Sequence, residues 1–212
     1  MKYLSFLLLF IFLSFNSIAQ NDDWSSYGKD PGGGHFSKAT EITPGNVKGL
    51  ERIWVHRSGD YHDGLNWTED VIPNSSQQTS FQATPLLVND TLYYCTPYNR
   101  VFALDSETGE ENWVFDPQIN IEEKALLHCR GVASWIDENK TESDECYHRI
   151  ITGTIDADLY AIDGKTGKLC SDFGNNGSVD LRSGLGAHNP VSYTHLRAHE
   201  TVLDLVCRLL LE

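Results

Sequence analysis

The chain of 212 residues sets 30 acidic side chains against 16 basic ones, a formal net charge of −14. With that balance and no Lys/Arg cluster it cannot neutralise a phosphate backbone, which excludes nucleic acid as a partner. A 40% share of hydrophobic residues is enough for a packed core.

Residues 1–19 read as a secretory signal peptide. Lys2 gives a positive start, Leu4 to Phe15 is an almost unbroken apolar run, and Ser17-Ile18-Ala19 places small residues before a cleavage point at Gln20. The run is short for a bilayer span of roughly 20 residues, so a leader is preferred to an anchor and export to the periplasm is expected. Further on, Gly32-Gly33-Gly34 follows no strand and opens no helix, which removes a phosphate-loop reading. Around Trp54, "RIWVHR" predicts a strand without its natural ladder partners.

From Thr91 onward the chain repeats itself. "TLYYCTP", "RVFALD", the turn "SETGE" and "ENWVFD" predict strand, strand, turn and closing strand. "RIITGTID", "ADLYAID" and "GKTGK" follow in the same order, and Ala103/Ala161, Asp105/Asp163, Thr108/Thr166 and Gly109/Gly167 recur at one constant offset. No sustained helical period lies between the copies. Such units are the blades of a β-propeller, and one blade cannot bury its sheet face alone, so blades stack around an axis. Gly109 and Gly167 are expected at the turn before the outermost strand, where φ is positive. Trp113 is suited to wedging between neighbouring sheets; the matching position in the second copy is Ser171. The fold class is therefore all-β, an incomplete propeller whose two copies form an open arc.

The last stretch, "VSYTHLRAHETVLDLVCRLLLE" from Val191 to Glu212, departs from this text. It back-translates into the adapter and primer sequences of a sequencing library with a short index between them. It is therefore expected to be foreign and to hold no site residue. The native part, 20–190, then reads as the N-terminal part of a longer propeller.

With Cys207 assigned to that tail, Cys95, Cys129, Cys146 and Cys170 remain, and an even number in an exported chain favours disulfides. The expected bridge is Cys129 with Cys146, closing the acidic loop "DENKTESDE" between them. A rival grouping of His128, Cys129, Cys146 and His148 offers zinc-compatible residue types without zinc spacing.

The stretches "DWSSYGKDPGGGHFSKATEITPGNVKGLERIW", "FQATPLLV", "CTPYNRVFALD", "HCRGVASW" and "DFGNNG" resemble, in order, the quinoprotein dehydrogenases that use pyrroloquinoline quinone (PQQ). The likeness is to their membrane-associated glucose, quinate and polyol branch. It implies an eight-bladed propeller and oxidation of an alcohol, polyol or sugar by hydride transfer to the quinone. Electrons would then pass to a quinone or a cytochrome, with peripheral membrane association.

PQQ is a planar ortho-quinone with three carboxylates. The resemblance places Arg130 against it, and a planar guanidinium can hold carboxylate oxygens bidentately. The same resemblance implies contacts from Gln82 in "FQATP" and His128 at the mouth of the site, although relatives hold their histidine further from the Cys-Arg-Gly. Thr154 could donate its hydroxyl to a carboxylate. No catalytic residue is assigned: calcium, the Lewis acid of the family, and its general-base Asp are expected beyond Pro190. The competing reading is a non-catalytic exported propeller that scaffolds outer-membrane protein assembly.

Overall fold

The computed structural model describes residues 23–30, 32–62, 78–121 and 126–183. The leader and the tail from 191 lie outside the described residues, as do 63–77 and 122–125. Among the described residues there is no α-helix, only a 3-10 turn at Val47–Gly49, and no helix long and apolar enough to cross a membrane.

Two four-stranded antiparallel sheets make the body. The first has the order β2-β3-β4-β5, with β2 Leu86–Val88, β3 Thr91–Cys95, β4 Val101–Asp105 and β5 Glu111–Phe115. The second runs β7-β8-β9-β10, with β7 Ala133–Ile136, β8 His148–Gly153, β9 Asp158–Asp163 and β10 Ser178–Asp180. Each sheet is a blade, and its first strand in sequence is an edge strand. Two further strands, β1 (Gln78–Thr84) and β6 (Leu126–Gly131), pair in parallel with each other. Pro85 joins β1 to β2 and Val132 joins β6 to β7, so this ladder ties the two blades together where each begins.

A repeated turn closes each blade, and its hydrogen bonds explain the repeated text. The Asp105 carboxylate accepts from the Glu107 amide (3.0 Å), the Thr108 amide (2.7 Å) and the Thr108 hydroxyl (2.9 Å). Asp163 does the same with Lys165 (3.1 Å) and both donors of Thr166 (2.8 Å each). The glycine that follows has φ +73° at Gly109 and +74° at Gly167, in the region where a side chain is strained. It also leaves room for an indole: a Cβ on Gly167 would lie 2.8 Å from the Trp113 ring, and one on Gly109 would lie 2.5 Å from the Trp54 ring. The Trp113 N–H donates to the Gly164 carbonyl at 2.9 Å, and the Trp54 N–H donates to the Ser106 carbonyl at 3.3 Å. Trp113 is thus the wedge between sheets that its size suggests.

Residues 51–62 correct one expectation. Trp54 and its neighbours form no ladder; they are extended, with Trp54, His56, Ser58, Asp60 and His62 turned inward and Ile53, Val55 and Tyr61 outward. Side chains hold the segment instead. His56 bridges Tyr94 (2.5 Å) and Glu111 (2.7 Å), and Arg100 pairs with the buried Asp60 and donates to the Ser58 carbonyl at 2.6 Å. Burial, with the nearby Glu111 and Asp60 carboxylates, pushes the Tyr94 phenol up to about 12. This packing covers the second face of the first blade. It explains why β4 is buried at four consecutive positions, Val101 to Leu104, rather than at alternate ones.

The core has two parts. Leu86, Val88, Tyr93, Cys95, Val101, Ala103, Cys129, Val132, Ile150 and Ile162 pack between the blades. Cys146, Ile151, Leu159, Ala161, Cys170 and Phe173 form a second cluster. Ile151 and Leu159 alternate along their strands with Ile150 and Ile162, so this cluster lies on the far face of the second blade. Each such apolar side chain, fully buried, contributes roughly 1.5–3 kcal/mol.

The cysteines pair Cys95–Cys129 (Cα–Cα 5.9 Å) and Cys146–Cys170 (5.8 Å), not Cys129–Cys146. Cys129 belongs to the core on one face of the second blade and Cys146 to the core on the other, so the two sulfurs never meet. The zinc grouping falls with that pairing, since both of its cysteines are in disulfides.

Candidate cofactor site

The parallel ladder brings most of the residues singled out above together. Ser80 stands opposite His128 and Phe81 opposite Cys129; the register then slips so that Thr84 meets Gly131. Gln82 and Ala83 therefore face the single residue Arg130 across a bulge, a device that re-aims side chains at functional rims. Gln82 and Arg130 are both exposed. The Gln82 amide donates to the Ser80 hydroxyl at 3.0 Å. Among the described residues no carboxylate pairs with the Arg130 guanidinium.

His128 and Thr154 sit differently. His128 is buried in β6, and its carbonyl accepts from the Asn99 amide at 3.1 Å. Thr154 is buried at the β8–β9 turn, where its hydroxyl donates to the Asp158 carbonyl at 3.4 Å and accepts from the Asp158 amide at 3.3 Å. Thr96 makes the same pair of contacts with Arg100 at the β3–β4 turn. The geometry thus leaves Gln82 and Arg130 exposed on neighbouring strands, His128 buried two residues before Arg130, and the Thr154 hydroxyl engaged in a turn.

The residue that sequence reasoning passed over is Asn99. Read only as part of a short connection, it is 1% exposed and takes φ +57°. Its side-chain oxygen accepts from the Ile155 amide at 2.8 Å while its nitrogen donates to His128. Both neighbours are main-chain groups of fixed polarity, which decides which end of the amide is which. An Asn between Pro-Tyr and Arg in a tight turn was the available signal, because Asn tolerates the left-handed conformation.

Elsewhere, the one group of metal-capable side chains among the described residues is Cys146, Cys170 and Asp172, and its cysteines are bonded to each other. Arg149 is buried beside it, donating to Asp172 at 2.7 Å and lying over the Trp135 ring. This ties down the acidic loop and gives no site.

Two blades of repeated strand-turn-strand build, a tryptophan docked on the glycine of each closing turn, and a parallel ladder between them that carries an exposed arginine define part of a propeller. Residues 24–207 match the family model "Glucose/ethanol/alcohol dehydrogenase, beta-propeller domain" of the PQQ type, and the chain belongs to that family. The matched span runs past Pro190 into the tail expected to be foreign. Among its relatives is the quinoprotein glucose dehydrogenase of Escherichia coli (strain K12), 36% identical over 82% of this chain and 21% of that protein. The quinate/shikimate dehydrogenase (quinone) of Acinetobacter baylyi is 34% identical over 77% of this chain and 21% of its own. A solved quinohemoprotein alcohol dehydrogenase from Pseudomonas putida HK5 superposes with a TM-score of 0.54 at 26% identity, covering 76% of this chain and 19% of that one. The chain spans 21% of the length of the two curated relatives.

Proposed function

We propose that this chain contributes one wall of a PQQ site in a dehydrogenase that oxidises a CH–OH group of an alcohol, polyol or sugar. The observation that carries it is the exposed Arg130 guanidinium, without an acidic partner among the described residues, facing Gln82 across the bulge. The donor set fits the cofactor: a guanidinium for a carboxylate, and an amide beside it for a carbonyl or a second carboxylate oxygen. PQQ, when bound, supplies the acceptor for two electrons and a proton. Arg130 would hold one of its carboxylates and Gln82 its rim. His128 and Thr154 would shape the wall behind them, Thr154 reaching a carboxylate only by releasing the Asp158 carbonyl. Among the described residues the one group of metal-capable side chains is Cys146, Cys170 and Asp172, whose cysteines are bonded to each other, so no calcium ligand is assigned in this chain. The leader reading and the family support export to the periplasm, with transfer of electrons to a quinone or cytochrome.

The test is a titration of the purified 212-residue chain with PQQ, followed by the cofactor's absorbance. Binding is expected, and Arg130→Ala should weaken it at least tenfold, because a charge-assisted hydrogen bond contributes about 1.5–3 kcal/mol. Equal binding by Arg130→Ala would overturn the role given to Arg130, and no binding by the wild type would favour a scaffold propeller instead.

A further inference from the structure

The ladder strand that carries Arg130 is gripped from behind at two consecutive residues by groups that no catalytic reading uses. Cys129, immediately before Arg130, is bonded to Cys95 at the end of β3. His128, one residue earlier, gives its carbonyl to the Asn99 amide. Asn99 stands in the turn that begins right after Cys95, and that turn is fixed in its own right by the Asn99 amide donating to the Thr96 carbonyl at 2.8 Å. The other end of the Asn99 side chain takes the Ile155 amide, in the corresponding turn of the second blade. Cys95, Thr96 and Asn99 are at most 1% exposed, and Cys129 and His128 are buried.

We infer that Cys95–Cys129 and Asn99 form a positioning clamp that sets the register and aim of Arg130 toward the cofactor. A slip of one residue in this ladder would carry every side chain to the other face, so the aim of Arg130 requires that the register be held. Arg130 has no salt bridge among the described residues to hold it, so its aim depends on the backbone that carries it. A covalent bond at the preceding residue and a buried hydrogen bond one step earlier fix that backbone against the first blade. The link to Ile155 references the same point to the second. The other disulfide, Cys146–Cys170, lies on the far face of the second blade and has no such role.

This inference rests on the proposed cofactor reading, and the experiment separates the two. The full chain is prepared as wild type and as Cys95→Ser/Cys129→Ser, Cys146→Ser/Cys170→Ser, Asn99→Asp and Arg130→Ala. Asn99→Asp keeps the acceptor for Ile155 and removes the donor to His128. PQQ affinity and hydrogen exchange at amides 127–131 are measured on each. The clamp predicts that Cys95→Ser/Cys129→Ser and Asn99→Asp weaken PQQ binding about tenfold, toward the Arg130→Ala level, and speed exchange in β6. Cys146→Ser/Cys170→Ser should lower the melting temperature and leave PQQ affinity within twofold of wild type. If Arg130→Ala loses binding while the two clamp variants keep it, the clamp is wrong and the cofactor reading stands. If the wild type does not bind PQQ, the cofactor reading fails, and β6 exchange still decides the clamp: no change in either variant overturns it. Should the double cysteine variant fail to fold, Asn99→Asp alone carries the same decision.

Discussion

The two blades start alike and finish differently. In the first, the closing turn is followed by a continuous β5, paired with β4 from Val101–Phe115 to Leu104–Glu111, and Trp113 on that strand reaches across to the second blade. In the second, the same turn leads only to a single bridge, Ile162 with Leu169. The chain then leaves the sheet, inserts Phe173 into the far-face core, and returns as β10 opposite Leu159. Ser171 stands where Trp113 does in the first blade, and Cys146–Cys170 fastens the detour. What survives repetition is the backbone hydrogen bonding of the Asp-Thr-Gly turn. What changes is whatever must pack against a neighbour.

That contrast can be broken at the wedge first. Trp113→Ala, which removes a half-buried ring wedged against the second blade, should cost about 2–3 kcal/mol in urea unfolding. Trp54→Ala, on a segment held without a ladder, should cost about 1–2 kcal/mol. Equal losses would show that the two tryptophans are not different in kind. Next come the disulfides. Removing either should cost roughly 3 kcal/mol from loops of similar length, but only loss of Cys95–Cys129 should loosen the contact between blades, read as a change in the near-ultraviolet circular dichroism of Tyr93 and Trp113, which both donate to the Gly164 carbonyl of the second blade.

The glycines sharpen the comparison further. Gly167→Ala meets both a positive φ and the Trp113 ring, and a loss of about 1–2 kcal/mol is expected. In Trp113→Ala the ring is gone and only the backbone strain remains, so the double mutant should cost less than the sum. Full additivity would mean that the indole does not rest on the glycine.

The smallest effect is set by pH. His148, at the junction of the blades, touches the Tyr93 ring and has its hydroxyl partner in Ser134 at 2.8 Å. Burial lowers its pKa from 6.5, with the Asp163 and Asp23 charges pulling partly the other way. A histidine held neutral in the fold protonates more readily when unfolded, so the unfolded state binds more protons below pH 6.5. Stability should therefore fall as pH drops below about 6.5. His148→Gln, which can still meet Ser134, should flatten that slope in melting curves; an unchanged slope would assign it to another group. Asp163 works in the same direction at lower pH. Burial raises its pKa, but hydrogen bonds from Cys146, Thr166 and Lys165 outweigh it and hold the carboxyl below its ordinary value. Its contribution is lost only as pH drops below the usual carboxylate range.

The propeller was legible in the sequence because Asp105/Thr108/Gly109 and Asp163/Thr166/Gly167 satisfy the same hydrogen bonds twice, and local chemistry of that kind shows as a repeat. Arg130 and Gln82 were singled out only through family likeness, since an exposed Arg on a strand has no pattern of its own. Disulfide partners were not legible: which cysteines meet depends on the sheet face each one reaches. Cys129 and Cys146 are close in sequence, yet they fall on opposite faces of the second blade. Trp54 has a strand's alternation without a strand's ladder, because its side chains rather than its backbone make the contacts. Asn99 was hidden for a related reason: its two partners lie on the ladder strand β6 and in the second blade, and nothing local announces them.

A crystal structure of the chain with PQQ bound tests the central claim most directly. The account predicts one cofactor carboxylate within hydrogen-bond distance of the Arg130 guanidinium, about 2.7–2.9 Å, with Gln82 at its rim. Cofactor density at the outer edge of the blades, or an Arg130 side chain turned away from it, would contradict that claim.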